Sequence, residues 1–377
     1  MDQTMPAIEQ FRQQVLSAAA DGRTLRVRGG GTKDWYGQAV NGDLLDTRIH
    51  SGIIDYEPTE LVITARCGTP LAEIEAALHE HHQMLAFEPP HFGAGATLGG
   101  AVASGLSGPA RASSGAVRDF VLGAVLMDGG GEVLTFGGQV MKNVAGYDVS
   151  RLLAGSLGTL GLMLQHSVKV LPRPVSETTR RFEMSEIDAI ARLNAWGGQP
   201  LPISASCWHA GVLTLRLSGA SAAVNAAARS LGGELVEDGK SFWADVREQR
   251  HAFFADAASL WRLSVPSASG AIILPGEQLI EWGGAQRWLK AGAGVDQAAP
   301  NAATGEAFNE AANAADAKAA QNIRRAVTAV GGHATLFRGG DKQVGVFQPL
   351  APAIARIHER LSHAFDPAQI FNRGRMY

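Results

Sequence analysis

The amino-acid sequence predicts an α+β protein that is divided into two domains. A chain of 377 residues suits two domains, because single domains hold roughly 100 to 200 residues. Between residues 8 and 174, segments of helical periodicity, β-rich runs and glycine-rich loops follow one another. Residues 176–290 contain several short strands and helices but few glycine clusters. We therefore predict one domain over residues 1–174 and a smaller α+β domain over residues 175–377.

The first domain is predicted to begin with a helix and two strands. Residues 8–20 have the apolar periodicity of a helix, and residues 24–28 alternate as a strand does. Residues 61–66 form a second β-rich run. Thr69 and Pro70 then suit the N-cap and the first position of another helix.

A hairpin and a closing strand are predicted for the rest of this domain. Residues 120–127 and 132–136 are β-rich, and the turn sequence Asp-Gly-Gly-Gly at 128–131 separates them. A further apolar run covers residues 162–171, and the sequence Pro-Arg-Pro at 172–174 ends it.

The second domain gives weaker patterns. The tryptophans between residues 243 and 288 are expected in a core or a subunit interface. Residues 291–320 are rich in alanine, asparagine and glycine, and we expect a flexible loop or a marginal helix there. Residues 345–377 show a helical pattern through Ile354, Ile357 and Leu361, followed by a tail punctuated by proline and glycine.

Composition and charge exclude several classes of function. A net charge of −3 gives no electrostatic footprint for nucleic acid or an anionic membrane. No apolar run approaches the roughly 18 residues that span a bilayer, and the N-terminus lacks the apolar core of a signal peptide. Two cysteines, Cys67 and Cys207, cannot ligate a four-thiolate iron–sulfur cluster. We expect a cytoplasmic protein, or one held peripherally at the inner membrane through a complex.

Three glycine-rich loops are the strongest functional signal. The first, Arg28-Gly29-Gly30-Gly31-Thr32-Lys33, follows a predicted strand and could expose consecutive amides to a diphosphate, although a hairpin turn without a ligand is an equal alternative. The second, residues 96–105, has small side chains at nearly every position, which suits contact with a flat ligand or tight helix–strand packing. The third is residues 155–161. Three such loops fit an extended dinucleotide better than three unrelated turns.

The order of these motifs resembles a known family. The segments RGGGTK, ATLGGAVASGLSG, DFVLGAVLMDGGGEVL and GSLGTLG are similar to the FAD-binding domain of the vanillyl-alcohol-oxidase superfamily, also called PCMH-type. The segments VMKNVAGYDVSRLLAGSLGTLG, LPGEQLIEWGGAQRWLK and DPAQIFNRGRMY resemble the family of FAD-binding E subunits of bacterial glycolate oxidases. Together these segments span nearly the whole chain.

The resemblance implies a fold, a cofactor and partners. Two α/β subdomains would hold FAD, and the C-terminal region would form a cap. The loop from Arg28 to Lys33, comprising Arg28, Gly29, Gly30, Gly31, Thr32 and Lys33, would hold the pyrophosphate through backbone amides. The other residues expected at FAD are Thr97, Gly99, Gly100, Ala103, Ser104, Gly105, Gly158 and Gly161. Members of this family act with a second FAD-binding catalytic subunit and an iron–sulfur subunit, and they oxidise glycolate, a small 2-hydroxy acid, to glyoxylate.

Two departures from the family pattern favour an alternative role. Leu157 replaces the acid of the usual G-S-E-G-T-L-G motif, and the H-x-G-D-G-N motif of related catalytic subunits is absent. The alternative is a non-catalytic structural or electron-relay partner of the catalytic subunit. No catalytic residue is assigned. Arg262, Arg338 and His333 could bind a carboxylate, but a structural ion pair is the stronger expectation for an isolated arginine.

Overall fold

A computed structural model describes residues 4–139, 148–291 and 306–377 and divides the chain into two compact units, Met1–Arg173 with Leu350–Tyr377, and Pro174–Pro349. The helices are α1 (Thr4–Asp21), α2 (Leu71–Glu80), α3 (Leu98–Ser104), α4 (Arg111–Ser114), α5 (Val117–Phe120), α6 (Val149–Leu152), α7 (Glu186–Gly197), α8 (Ser221–Leu231), α9 (Gly239–Arg247), α10 (Glu306–Ala329) and α11 (Pro352–Phe365). The strands are β1 (Leu25–Arg28), β2 (Asp43–Asp46), β3 (Ile53–Glu57), β4 (Val62–Arg66), β5 (Gln83–Met84), β6 (Val121–Met127), β7 (Val133–Gly137), β8 (Leu162–Lys169), β9 (Leu171–Pro172), β10 (Ser176–Glu183), β11 (Ile203–His209), β12 (Val212–Gly219), β13 (Glu234–Leu235), β14 (Ser259–Ser264), β15 (Glu277–Glu281), β16 (Gln286–Ala291) and β17 (His333–Gly339).

The first unit contains a parallel strand pair, β1–β2, and a five-stranded sheet with the order β3-β4-β8-β6-β7. The predicted hairpin is confirmed as β6 and β7, and Asp128 Oδ1 shapes its turn by accepting from the amides of Gly130 and Glu132, each at 2.9 Å. Helix α2 buries Leu71, Ile74 and Leu78, as its apolar spacing predicts. It begins one residue later than expected, with Pro70 at the N-cap.

The C-terminal segment belongs to the first unit, which corrects the expected domain of residues 175–377. The carbonyl of Ile370 accepts from the Leu25 amide at 2.7 Å, and the Asn372 amide donates to the Leu25 carbonyl at 2.9 Å. Ile370 and Phe371 are buried in a cluster with Phe11 of α1. Ile370 and Phe371 lie next to β1 because packing there removes their apolar surface from water.

The second unit is built on an eight-stranded sheet with the order β13-β10-β12-β11-β15-β16-β14-β17. Helices α7, α8 and α10 pack on it through three clusters of buried apolar residues. Since side chains alternate along a strand, these clusters lie on one face, and the opposite face carries Arg216, Arg262 and Gln286. The tryptophans expected in a core, Trp243, Trp261, Trp282 and Trp288, are all buried.

Part of the segment expected to be a flexible loop or a marginal helix is a helix. Residues 292–305 lie outside the described residues, but α10 covers Glu306–Ala329. Of the two alternatives expected from the sequence, residues 306–320 are therefore helical: alanine favours the helix, and Ala320 is buried with Ile323 and Val327. In the described ranges, no helix combines the length and apolar composition required to cross a bilayer.

Candidate cofactor site

The first glycine-rich loop leaves the end of β1 and packs against a second loop by direct backbone approach. A Cβ atom at Gly30 would lie 1.5 Å from the carbonyl oxygen of Gly95. Gly31, in contrast, has a φ of +73°, a conformation that L side chains rarely adopt. The two glycines are therefore required for different reasons, since Gly30 clears a backbone and Gly31 makes the turn.

The loop carries amides that could bind an anion. The amides of Gly30, Gly31 and Thr32 donate no hydrogen bond within the described residues. The loop is shaped by the Asp34 amide, which donates to the Gly31 carbonyl at 3.2 Å, and by an ion pair of 2.6 Å between Arg28 Nε and Asp34 Oδ2. Backbone amides that have no acceptor in the described part of the chain, on a loop of fixed shape, suit the oxygens of a pyrophosphate. The loop therefore fits the pyrophosphate of FAD, which its sequence predicts.

The second loop enters α3 and uses small residues in two ways. Thr97 caps α3 by accepting from the Gly100 amide at 3.2 Å, and a Cβ atom at Gly29 would lie 2.5 Å from its hydroxyl. A Cβ atom at Gly99 would lie 2.7 Å from Cβ of Cys67 on the segment that follows β4. Close packing of α3 against Cys67 therefore explains why residue 99 is a glycine, and Gly99 and Ala103 both line a cavity.

The third loop is attached to α3 and to the C-terminal tail. The amides of Gly155 and Leu157 donate to carbonyls of α3, each at 2.9 Å. Leu157 takes a φ of +53°, which is strained for a leucine, and its carbonyl accepts from Asn372 Nδ2 at 2.7 Å. Gly158 has a φ of +71° and faces the same asparagine amide. This loop is thus held by long-range hydrogen bonds on both sides.

All three loops meet at one cavity of the first unit. Of the residues predicted to contact the cofactor, those that line it are Arg28, Gly29, Gly30, Gly31, Thr32, Lys33, Thr97, Gly99, Gly100, Ala103, Ser104 and Gly158. Gly105 and Gly161 do not line it. A Cβ atom at Gly105 would lie 2.8 Å from Cα of Gly155, and one at Gly161 would lie 2.8 Å from the Met127 carbonyl, so both serve backbone packing.

Sequence reasoning missed the contribution of the C-terminal tail to this cavity. Asn372 Oδ1 accepts from the Val27 amide at 2.9 Å, so its side chain joins β1 to the third loop. Arg375 Nη2 donates to the carbonyls of Lys33 and Tyr36 at 3.2 and 3.0 Å, while its buried Nε lacks a partner within the described residues. Burial lowers the pKa of Arg375. The sequence signal was the segment FNRGR, which had no assigned role.

Other titratable residues near the cavity are buried and uncharged at neutral pH. Burial raises the pKa of the Cys67 thiol far above its usual range, which keeps it protonated. His166 is fully buried on β8, and burial lowers its pKa to about 4. Its Nε2 lies 3.2 Å from Sδ of Met163, which lines the cavity. These residues shape the wall and do not exchange protons near pH 7.

Comparison with known proteins identifies the family. The FAD binding domain family matches residues 7–137. The chain is 47% identical to the glycolate oxidase subunit GlcE of Escherichia coli (strain K12), over 97% of this chain and 96% of that protein. The chain belongs to the family of GlcE glycolate oxidase subunits. It binds FAD, and the GlcE resemblance seen in the sequence is confirmed.

More distant relatives agree with this assignment. The glycolate oxidase subunit GlcD of Bacillus subtilis (strain 168) is 36% identical over 96 residues, which is 26% of this chain and 20% of that protein. The crystal structure of p-cresol methylhydroxylase matches 98% of this chain and 87% of its own, with a TM-score of 0.72 at 15% identity. An alkyldihydroxyacetonephosphate synthase structure matches 97% and 75%, with a TM-score of 0.63 at 14% identity. The likeness to these two structures confirms the PCMH-type fold of this chain.

Other histidines and arginines that could bind a metal ion or a carboxylate do not line the cavity. His79 and Glu80 are the last residues of α2, and His81 and His82 follow it. No group of histidine, cysteine, aspartate and glutamate in the described ranges is arranged to hold a metal ion. Arg262, His333 and Arg338 lie on β14 and β17 of the second unit. The cavity therefore accounts for the cofactor loops but contains none of the residues considered for a carboxylate.

Proposed function

We propose that this chain is the FAD-binding subunit of a glycolate dehydrogenase complex, which oxidises glycolate to glyoxylate and passes the electrons through the flavin to an iron–sulfur subunit. The observation that carries the proposal is the convergence of three glycine-rich loops on one cavity in a chain of the GlcE family. FAD, when bound, supplies the chemistry by accepting the hydrogen and electron pair of the substrate's α-carbon.

The chain's own residues would bind the cofactor along the cavity. The amides of Gly30, Gly31 and Thr32 would donate to the pyrophosphate, since they have no other acceptor within the described residues. Arg375, whose Nε is buried without a partner, would add a positive charge at the same end of the loop. The remaining walls, from Thr97 to Ser104, would contact the rest of FAD through small side chains.

The need to pass electrons from the flavin to an acceptor leads us to propose partner subunits. Two cysteines cannot form a four-thiolate cluster, and both are buried, so electrons that reach the flavin need another chain. We include in the proposal a second FAD-binding catalytic subunit and an iron–sulfur subunit. The complex would be cytoplasmic, and any contact with the inner membrane would be made through it. The missing H-x-G-D-G-N motif favours one alternative, a structural or electron-relay partner that does not oxidise substrate itself.

Separate reconstitution tests this proposal. We expect the purified chain to carry FAD but to show little reduction of an artificial acceptor with glycolate or D-lactate, whereas the full complex turns over. Turnover by the isolated chain at the rate of the complex would contradict the need for partners. Full activity of a complex assembled without this chain would contradict the function itself.

A further inference from the structure

Arg262 lies on the face of the second unit's sheet that is opposite helices α7, α8 and α10. On β14 it pairs with Trp288 of β16 on one side and with Thr335 of β17 on the other. Its side chain is partly exposed, whereas both neighbouring positions are buried. The guanidinium is therefore set among buried side chains while keeping access to solvent.

A chain of hydrogen bonds fixes the orientation of this arginine. Arg262 Nε donates to Gln286 Oε1 at 2.8 Å, and Gln286 Nε2 donates to Glu281 Oε2 at 3.0 Å. Glu281 and Gln286 are 4% and 3% exposed, so neither is free to turn towards water. A carboxylate oxygen only accepts hydrogen bonds, and a guanidinium only donates them. The side-chain amide of Gln286 therefore has to present its nitrogen to Glu281 and its oxygen to Arg262.

One face of the Arg262 guanidinium packs against an aromatic ring. The ring of Trp282 lies 5.4 Å from Arg262 Cζ, within the range of a cation–π contact. Trp282 is 5% exposed and has a φ of +54°, which is strained for a bulky residue. The next amide, that of Gly283, is fixed by donation to Ser206 Oγ at 2.9 Å. Strain of this kind persists only where the surroundings enforce it.

Among the residues that the structure describes, Arg262 has no counter-ion, so no ion pair is seen there that would account for its charge. Neighbouring arginines differ. Arg216 lies 3.9 Å from Glu177, and Arg287 donates to the carbonyls of Gly270 and Ser269 at 2.8 and 2.6 Å. An arginine that is oriented by buried groups and has its terminal nitrogens unpaired is arranged as anion-binding arginines are.

We propose that Arg262 is the binding residue for a small carboxylate on the second unit. A guanidinium presents two parallel N–H groups that match the oxygens of a carboxylate. Loss of solvation and the charge of Arg262 lower the pKa of the adjacent His333, which is therefore neutral at pH 7. A single positive charge suits a monocarboxylate better than a phosphate dianion. This inference rests on the proposed function, since the carboxylate would be that of the 2-hydroxy acid.

Calorimetric titration of the FAD-loaded chain with oxamate tests the site without turnover. Oxamate is a planar monocarboxylate, and oxamide is its uncharged counterpart. We expect oxamate to bind and oxamide not to bind. Arg262→Gln should weaken oxamate at least tenfold, and Arg262→Lys should weaken it less, because lysine keeps the charge but loses the planar fork. The matched control is Arg229→Gln, which removes the same charge from an exposed position on α8 and should leave affinity unchanged.

A positioning variant separates orientation from charge. Gln286→Met keeps the arginine but removes its hydrogen-bond acceptor, so oxamate should bind several-fold more weakly. Because the change also takes a donor from the buried Glu281, the melting temperature should fall, and affinity is measured well below it. Parent-like affinity in Arg262→Gln, or no oxamate binding by the parent, would overturn the inference. If oxamate binds through Arg262 but the assembled complex does not oxidise glycolate, the carboxylate site stands and the proposed function fails.

Discussion

Replacing Gly30 by alanine tests whether the approach of two backbone segments shapes the cofactor cavity. A Cβ atom at Gly30 would lie 1.5 Å from the carbonyl oxygen of Gly95 and 2.3 Å from the carbonyl carbon. Real Cβ atoms essentially never come within 3.0 Å of a non-bonded heavy atom. The segments that contain Gly30 and Gly95 therefore have to separate by about 1.5 Å. Gly29 and Thr97, which lie next to this contact and line the cavity, would separate with them.

The size of the effect follows from the nature of the clash. Overpacking a protein interior costs about 1 to 3 kcal/mol when side chains can adjust. Here the obstacle is a backbone carbonyl, so we expect the upper end of that range, about 3 kcal/mol, in the free energy of unfolding. If FAD binds only when the two segments return to their original positions, binding has to overcome the same cost of about 3 kcal/mol. The dissociation constant of FAD then rises roughly 100-fold.

The assay compares FAD content after gel filtration, FAD affinity of the stripped protein, and melting temperature. Gly130→Ala is the control within the same unit, because a Cβ atom there would lie 3.4 Å from Asp128 Oδ1, an ordinary contact, and its φ lies outside the left-handed region. We expect the control to behave as the parent does. Full FAD content and unchanged affinity in Gly30→Ala would refute the backbone-approach explanation and remove this loop from the site.

Three further predictions concern the first unit and the cofactor. FAD should be released when the protein is denatured, because the groups proposed to hold it are the backbone amides of Gly30, Gly31 and Thr32, which form no covalent bond to it; flavin that stays with the precipitated chain would contradict this. Asn372→Ala should reduce FAD affinity about tenfold, since it removes the hydrogen bonds to Val27 and Leu157; equilibrium titration of the apoprotein measures this, and parent-like affinity would disprove it. Burial lowers the pKa of His166 to about 4 from an ordinary value of 6.5, so its neutral form stabilises the fold above pH 6.5, and this contribution is lost as the pH falls towards 4. Chemical denaturation should show a loss of roughly 3 kcal/mol over that interval, and an equally steep loss in His166→Leu would assign it to other groups.

The parts of the site that the sequence predicted are those that are local in the chain. The glycine clusters at Gly29–Gly31 and Gly99–Gly100 can be recognised from the sequence alone, and both line the same cavity. Asn372 and Arg375 were missed because their role depends on a tail that lies beside β1, more than 300 residues away in sequence. Nothing local in the segment FNRGR indicates which strand it will join.

The second unit shows a different limit. Residues 306–320 are poor in large apolar side chains, and the described side chains that α10 buries against the sheet are Ala320, Ile323 and Val327, two of which lie beyond that segment. Which side chains surround Arg262 in the described part of the chain depends on the neighbouring strands, and no spacing in the sequence reveals it. Such features become visible only when the register of the sheet is known.

The dense glycines of this chain were interpreted as places where a ligand comes close, and the structure divides them into two kinds. Gly30, Gly105 and Gly161 each exclude a side chain because another backbone segment lies against them, and the last two also have positive φ. Gly31 and Gly158 have positive φ beside the cavity, with only side chains close to them. A substitution at the first kind would lower the stability of the apoprotein as well as its affinity for FAD. A variant that lowers FAD content therefore identifies a ligand contact only when the apoprotein keeps its melting temperature, and this comparison is required at every glycine of the site.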